Sequence, residues 1–171
     1  MPRHVLLVGL PGSGKSTIGK AVSESLGADL IDIDSLLVRE MGMPVVQIFG
    51  MVGEPRFREM ERAAVKTAQA RDPCVIVPGG GWAAQPGEMD SARNTSLIIY
   101  LECQPSTAVK RSEQGEARPL LSGSDPQQRM RTLLQEREPF YRQAHHRVGA
   151  EGTIEAVAGE IVELSRRYGG W

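Results

Sequence analysis

The run Gly9-Leu10-Pro11-Gly12-Ser13-Gly14-Lys15-Ser16-Thr17 stands directly after the apolar segment His4 to Val8 and directly before a stretch with helical spacing. A glycine loop entered from a strand and left through a helix commits the chain to an α/β beginning. The glycines let successive backbone N–H groups turn inward around phosphate oxygens, and the positive end of the following helix faces the same anion. In a GxxxxGKS pattern the lysine, here Lys15, reaches the β- and γ-phosphates, and the hydroxyl of Ser16 holds Mg²⁺. A nucleoside triphosphate site built from Gly12, Ser13, Gly14, Lys15, Ser16 and Thr17 is therefore predicted.

Further strand-like apolar runs lie at Asp29 to Ile33, Cys74 to Val77, Ser96 to Leu101 and, weakly, Arg147 to Ala150. Helical stretches separate them. Ser16 to Leu26 stops at Gly27, a favourable residue after a helix end. Met43 to Met51 and Pro55 to Arg71 read as two helices broken near Gly53. Asp125 followed by Pro126 is an N-cap and first-turn proline, opening a helix to about His145, and a last helix is predicted over Ile154 to Tyr168, ended by Gly169. Strands alternating with helices predict one domain over residues 1–171, with a central five-stranded parallel sheet covered on both faces. One segment breaks this rhythm. Ser112 to Ser124 is polar, carries Gly115, Pro119 and Gly123, and has the length of a functional lid.

Composition narrows the partners. A net charge of −1 over 171 residues gives no basic field to draw nucleic acid, and no apolar run approaches the roughly 18 residues of a membrane span. A cytoplasmic protein is expected, and the segment before the first strand is too short for a signal sequence. Cys74 and Cys103 lack metal or disulfide spacing and read as packing thiols. Lysine occurs only at Lys15, Lys20, Lys66 and Lys110, so most cations are arginines, which suit planar, two-pronged recognition of carboxylate or phosphate.

Asp32-Ile33-Asp34 lies at the carboxyl end of the second strand-like run, where alternation predicts both carboxylates on one face of the strand. Ligands of open α/β sheets bind at that edge. One carboxylate suits Mg²⁺ through water, and the other an attacking hydroxyl; the alternative is that Asp34 caps a helix starting at Ser35. Arg58 and Glu61, three apart on one helical face, can form an ion pair. Gly79-Gly80-Gly81 follows the third strand, Arg118-Pro119-Leu120-Leu121 sits in the lid-like loop, and Glu136-Arg137-Glu138-Pro139-Phe140-Tyr141 lies on the long helix.

In this order, from about residue 4 to residue 145, these segments resemble the shikimate kinase family, small members of the nucleoside-monophosphate-kinase-like P-loop kinases. The resemblance implies a three-layer α/β/α fold and a monomeric, ATP-dependent, Mg²⁺-requiring phosphotransferase. Its reaction would move the γ-phosphoryl group of ATP to the 3-hydroxyl of shikimate, on the route to chorismate and aromatic amino acids. It further implies that Ser16 and Asp32 serve the metal and that Asp34 contacts the reacting hydroxyl. Arg58, Gly80, Gly81 and Arg137 would grip the carboxylate and ring hydroxyls, Phe49 and Phe57 would wall the pocket, and Glu61 would partner Arg58. Arg118 resembles the lid arginine that closes on the phosphoryl group, and Arg111 the cation on adenine. The mobile acceptor-binding helical segment would be about residues 35–62, and the lid about 112–124.

Three departures qualify the resemblance. Pro78 replaces a small hydroxyl residue, Trp82 replaces a small residue and either lines the pocket or packs against the lid, and Val148 to Thr153 lacks the family's adenine-loop Asp and later Pro. A kinase of aminoshikimate, gluconate or another hydroxylated acid is one alternative, and a catalytically silent nucleotide-binding regulator another. His145-His146 is expected to end the long helix, where cations are favourable.

Overall fold

The computed structural model describes residues 1–113 and 125–171. Along the chain run β1 (His4–Val8), α1 (Lys15–Leu26), β2 (Leu30–Asp32), α2 (Ile33–Met41), α3 (Val45–Val52), α4 (Glu54–Gln69), β3 (Val75–Val77), α5 (Glu88–Ala92), β4 (Ser96–Glu102), α6 (Pro105–Glu113), α7 (Pro126–Tyr141), β5 (His146–Gly149) and α8 (Ile154–Gly169). The five strands form one sheet in the order β2-β3-β1-β4-β5, and every pairing is parallel. β1 and β4 pair along their length, from His4 opposite Ser96 to Val8 opposite Tyr100. Both are buried along most of that length, as continuous apolar sequence requires of a strand covered on two faces.

Handedness places the helices. From β1 the chain moves outward to the edge strand β2, and every later crossover runs the other way. Right-handed crossovers therefore put α1 on one face and the helices between β2 and β5 on the other. The packing of α1 against α8, and of α2, α3 and α4 among themselves, fits that division. Crossovers leaving the adjacent strands β1 and β3 diverge to opposite faces, which opens a crevice at their carboxyl ends. The glycine loop after β1 and the glycine triplet after β3 flank that crevice.

Several predicted ends hold. Gly27 adopts the left-handed conformation, with φ 63°, just after α1, and Asp125 accepts a hydrogen bond from the Gln128 N–H at 3.1 Å, with Pro126 opening α7. Others move. α8 runs through Gly169, and Gly170 is its left-handed cap. β2 stops at Asp32, and Asp34 stands in the first turn of α2 rather than on the strand. The cap of α2 is Asp32, which accepts from the Ser35 N–H at 3.2 Å. Either aspartate qualifies chemically as a cap; Asp32 takes the place because the chain turns into the helix at Ile33, whose side chain is fully buried. Of the predicted lid, only Ser112 and Glu113 lie among the described residues, as the last turn of α6. The rest of it, with Arg118, lies outside them.

His145 does not end a helix. α7 stops at Tyr141, and His145 precedes β5, where its Nδ1 accepts the Ile98 N–H at 3.0 Å. Burial, then the nearby cations Arg3 and Arg93, push its pKa down to about 4. The unfolded chain thus binds this proton first as pH falls, so the stability tied to neutral His145 is full above about 6.5 and lost progressively on acidification towards 4. The drop in thermal midpoint between neutral and acid pH is expected to be smaller in His145→Asn than in the parent, which differential scanning calorimetry measures. Cys74 and Cys103 are free, buried thiols, each pushed up to about 11 mainly by burial.

Candidate active site

The glycine loop is shaped by what lies under it. Gly12 has φ +79°, and a Cβ there would meet the Ala108 carbonyl oxygen at 2.3 Å, so only glycine lets α6 pack so closely. Lys15 is buried, and its ammonium donates to the carbonyls of Gly9 and Leu10, both at 2.8 Å. Those two bonds bend the side chain back over the loop. Gly14 caps α1 with no side-chain bond, leaving the first-turn N–H groups for another acceptor. The Ser16 hydroxyl donates to the Asp32 carboxylate. Asp32 thereby ties the loop's helix to the start of α2.

A cavity of about 540 Å³ opens over this loop. Its wall includes Gly12, Gly14, Lys15, Ser16 and Thr17 from the glycine loop and its helix, Asp32 and Asp34 from the start of α2, and Pro78, Gly79 and Gly80 after β3. Ser13 is fully buried and outside that wall; its N–H donates to the Leu10 carbonyl at 3.1 Å. Arg111, Ala150, Gly152 and Ile154 line the cavity as well. The Arg111 guanidinium donates to the Ser13 carbonyl at 3.0 Å and the Ala150 carbonyl at 2.8 Å, strapping the glycine loop to the segment after β5. Without the family's usual Asp and Pro, that segment still borders the cavity, through Ala150, Gly152 and the half-exposed Ile154.

The triplet after β3 is where the charged residues converge. A Cβ on Gly79 would lie 2.3 Å from Glu61 Oε2 and 3.3 Å from Asp34 Oδ1; one on Gly80, 3.2 Å from Arg137 Nη1; one on Gly81, 2.6 Å from Arg58 Cζ. Three glycines thus let two carboxylates and two guanidinium groups approach one stretch of backbone. Arg137 on α7 is buried, and the Arg58 side chain on α4 is 14% exposed. Arg58 and Arg137 are not part of the cavity wall; Arg137 packs against Gly80, which lines it, and Arg58 against the next residue, Gly81.

Glu61 is fully buried, and Arg58 donates to its Oε1 at 3.1 Å. Burial raises its pKa, Arg58 works against that rise, and the nearby Asp34 charge adds to it. Tyr141, also fully buried, donates its hydroxyl to the Gly80 carbonyl at 2.6 Å and is pushed up to about 12 by burial. It holds the triplet from the α7 side. Neither this tyrosine nor Gln85, which donates to Glu61 Oε1 at 3.1 Å, was singled out by the sequence. Gln85 is 24 positions from its partner and belongs to no periodic pattern; Tyr141 closes the segment containing Arg137, the one signal that pointed near it.

Phe49 and Phe57 pack with their rings tilted by 53°, centroids 5.4 Å apart, within the hydrophobic packing, and neither lines the cavity over the glycine loop. Trp82 is likewise buried in the core. It does not line the cavity over the glycine loop.

Comparison with known proteins gives one consistent result. The family model described as shikimate kinase matches residues 11–166. A shikimate kinase of Caldanaerobacter subterraneus is 39% identical over 94% of this chain and 94% of its own length, and one of Mycobacterium avium is 38% identical over 84% and 81%. Among solved structures, a shikimate kinase from Acinetobacter baumannii in complex with shikimate superposes with a TM-score of 0.92 at 30% identity, covering 98% of this chain and 94% of that one. A gluconokinase from Sinorhizobium meliloti shares the fold, with a TM-score of 0.69 at 19% identity. The chain belongs to the shikimate kinase family.

Proposed function

We infer that this protein is a shikimate kinase, transferring the γ-phosphoryl group of ATP to the 3-hydroxyl of shikimate to give shikimate 3-phosphate and ADP. The observation that carries the reading is the sharing of one cavity by Lys15 and Asp34, with Arg58 and Arg137 packed on the glycine triplet beside it. Shikimate is a carboxylate with several hydroxyls, so its site needs a cationic clamp, a hydroxyl-orienting carboxylate and close backbone donors. Arg58 and Arg137 supply charge-assisted hydrogen bonds to the carboxylate, and Gly80 and Gly81 bring main-chain groups near the ring.

Phosphoryl transfer asks for positioning and neutralisation of charge more than for covalent work by the protein. Lys15 neutralises the transferring group. Asp34 orients the 3-hydroxyl and accepts its proton as the oxygen bonds to the γ-phosphorus and the bond to ADP breaks. Arg111 borders the base, and Arg118, outside the described residues, is assigned to the lid that closes on the phosphoryl group. The Ser16 hydroxyl and the Asp32 carboxylate, in contact beside the phosphate loop, are a hard-oxygen pair of the kind that holds Mg²⁺ alongside substrate phosphates and water. Among the described residues no three His, Cys, Asp or Glu side chains form a metal cage, and a nucleotide-borne Mg²⁺ does not require one. The ion would supply neutralisation of phosphate charge. The working form is a cytoplasmic monomer; among the described residues no single helix is long and apolar enough to cross a membrane. Residues 35–62, carrying Arg58, are expected to close over bound substrates and exclude water, while the predicted lid, about 112–124, lies outside the described residues beyond Glu113.

The test is ADP release with shikimate, gluconate and quinate compared, and the product identified by phosphorus NMR. Shikimate 3-phosphate as the preferred product is expected; preference for gluconate, or ATP binding without transfer, would overturn the assignment. Gly81→Ala probes the clamp separately. The new methyl would meet the guanidinium of Arg58, a movable side-chain end, so the fold should survive while the clamp shifts. Loss of one charge-assisted contact corresponds to an increase of about tenfold or more in the KM for shikimate, with thermal stability and the KM for ATP little changed.

A further inference from the structure

Behind Arg58 lies a chain of contacts that the transfer chemistry does not itself require. Arg58 donates to Glu61 Oε1, and the same oxygen accepts from Gln85 Nε2, each at 3.1 Å. On its other side the Gln85 carboxamide oxygen accepts from the Arg62 guanidinium. Arginine only donates and a carboxylate only accepts, so Gln85 can face these two partners in one orientation alone. Gln85 is buried, Glu61 wholly so, and among the described residues Glu61 Oε2 has no hydrogen-bond partner. A buried carboxylate with one free oxygen depends on the donors at the other.

Resting on the acceptor reading above, we propose that Gln85 is a positioning residue of the acceptor site: braced by Arg62, its carboxamide fixes the Glu61 carboxylate, which sets the Arg58 guanidinium against Gly81 for the acceptor's carboxylate. Arg58 and Glu61 are successive-turn neighbours on α4, whereas Gln85 follows the glycine triplet. The contact thus couples the helix carrying the clamp to the loop carrying the backbone donors. Without it, the ion pair can swing as a unit away from the triplet. Burial already raises the Glu61 pKa, and the charges facing it are Arg58 on its own helix, Asp34 on α2 and Arg137 on α7. Removing the Gln85 donor favours the protonated acid further, and protonation ends the attraction to Arg58.

Two substitutions test this. Gln85→Met keeps the bulk and removes both contacts; Arg62→Met keeps the Glu61 contact and removes the brace. Steady-state kinetics with shikimate and ATP are measured from acid to neutral pH, alongside the titration of Glu61 followed by carbon NMR of the nucleotide-free protein. Gln85→Met is expected to raise the KM for shikimate about tenfold while kcat and the KM for ATP stay within about twofold. The Glu61 titration and the acid limb of kcat/KM for shikimate should both move to higher pH. Arg62→Met should shift the same quantities in the same direction by less, and it decides the matter should Gln85→Met fail to fold. An unchanged KM for shikimate together with an unmoved Glu61 titration would overturn the proposal, as would a fall in kcat at constant KM. Failure of the parent to phosphorylate shikimate would instead remove the acceptor assignment, and the NMR titration alone would then decide what Gln85 does to Glu61.

Discussion

Asp34→Asn is expected to lower turnover of shikimate by about a hundred- to ten-thousand-fold, the range for loss of a positioned proton acceptor, with the KM values for both substrates changed only a few fold. Asparagine has nearly the same shape and suits the first turn of α2, so the fold and cavity should persist. What disappears is the negative charge and the capacity to take the hydroxyl proton. A second consequence follows from the neighbouring carboxylate. The Asp34 charge contributes to the raised pKa of Glu61, so neutralising it should lower the Glu61 titration, opposite in sign to the change expected from Gln85→Met. Rapid-quench measurement of the transfer step separates the chemical effect from binding. A single-turnover rate within a few fold of the parent would remove Asp34 from the mechanism.

Lys15→Met is expected to reduce kcat by about a hundred- to a thousand-fold, as loss of one preorganised charge at a developing anion does. The ammonium is almost wholly buried and held by the carbonyls of Gly9 and Leu10. Methionine fills similar volume without the charge and removes the ammonium bond from both carbonyls, of which Leu10 keeps the Ser13 N–H. Nucleotide affinity should weaken less than turnover, because the loop N–H groups and the α1 terminus remain. Comparing ATP affinity by calorimetry with kcat shows the split; equal losses in both would mean that Lys15 acts on the ground state only.

Much of this site was readable from residue order because its parts are local. The phosphate loop is fixed by spacing within nine residues, and glycines just after an apolar strand mark a close backbone approach wherever they occur. The aspartate pair stands out by its place after an apolar run, but strand alternation does not reach Asp34: β2 ends at Asp32, and Asp32, not Asp34, caps α2. Continuing apolar character through Ile33 hid the change, since a buried isoleucine serves a strand and a helix start equally well. α5, five residues long, is too short to leave a helical period. The Glu61, Gln85 and Arg62 contacts join chain segments through single polar atoms, and nothing in composition or periodicity marks such a pairing. His145 is hidden for a related reason: its environment is set by burial and then by Arg3 and Arg93, with the Ile98 N–H on its ring, all far away in sequence.

The arrangement of clamp, base and phosphate loop is tested most directly by a crystal structure with shikimate and a non-hydrolysable ATP analogue bound together. The shikimate carboxylate is expected on Arg58 and Arg137, with the 3-hydroxyl against Asp34 and facing the terminal phosphorus held by Lys15. A carboxylate seated away from both arginines, or a 3-hydroxyl out of reach of Asp34, would contradict the acceptor site.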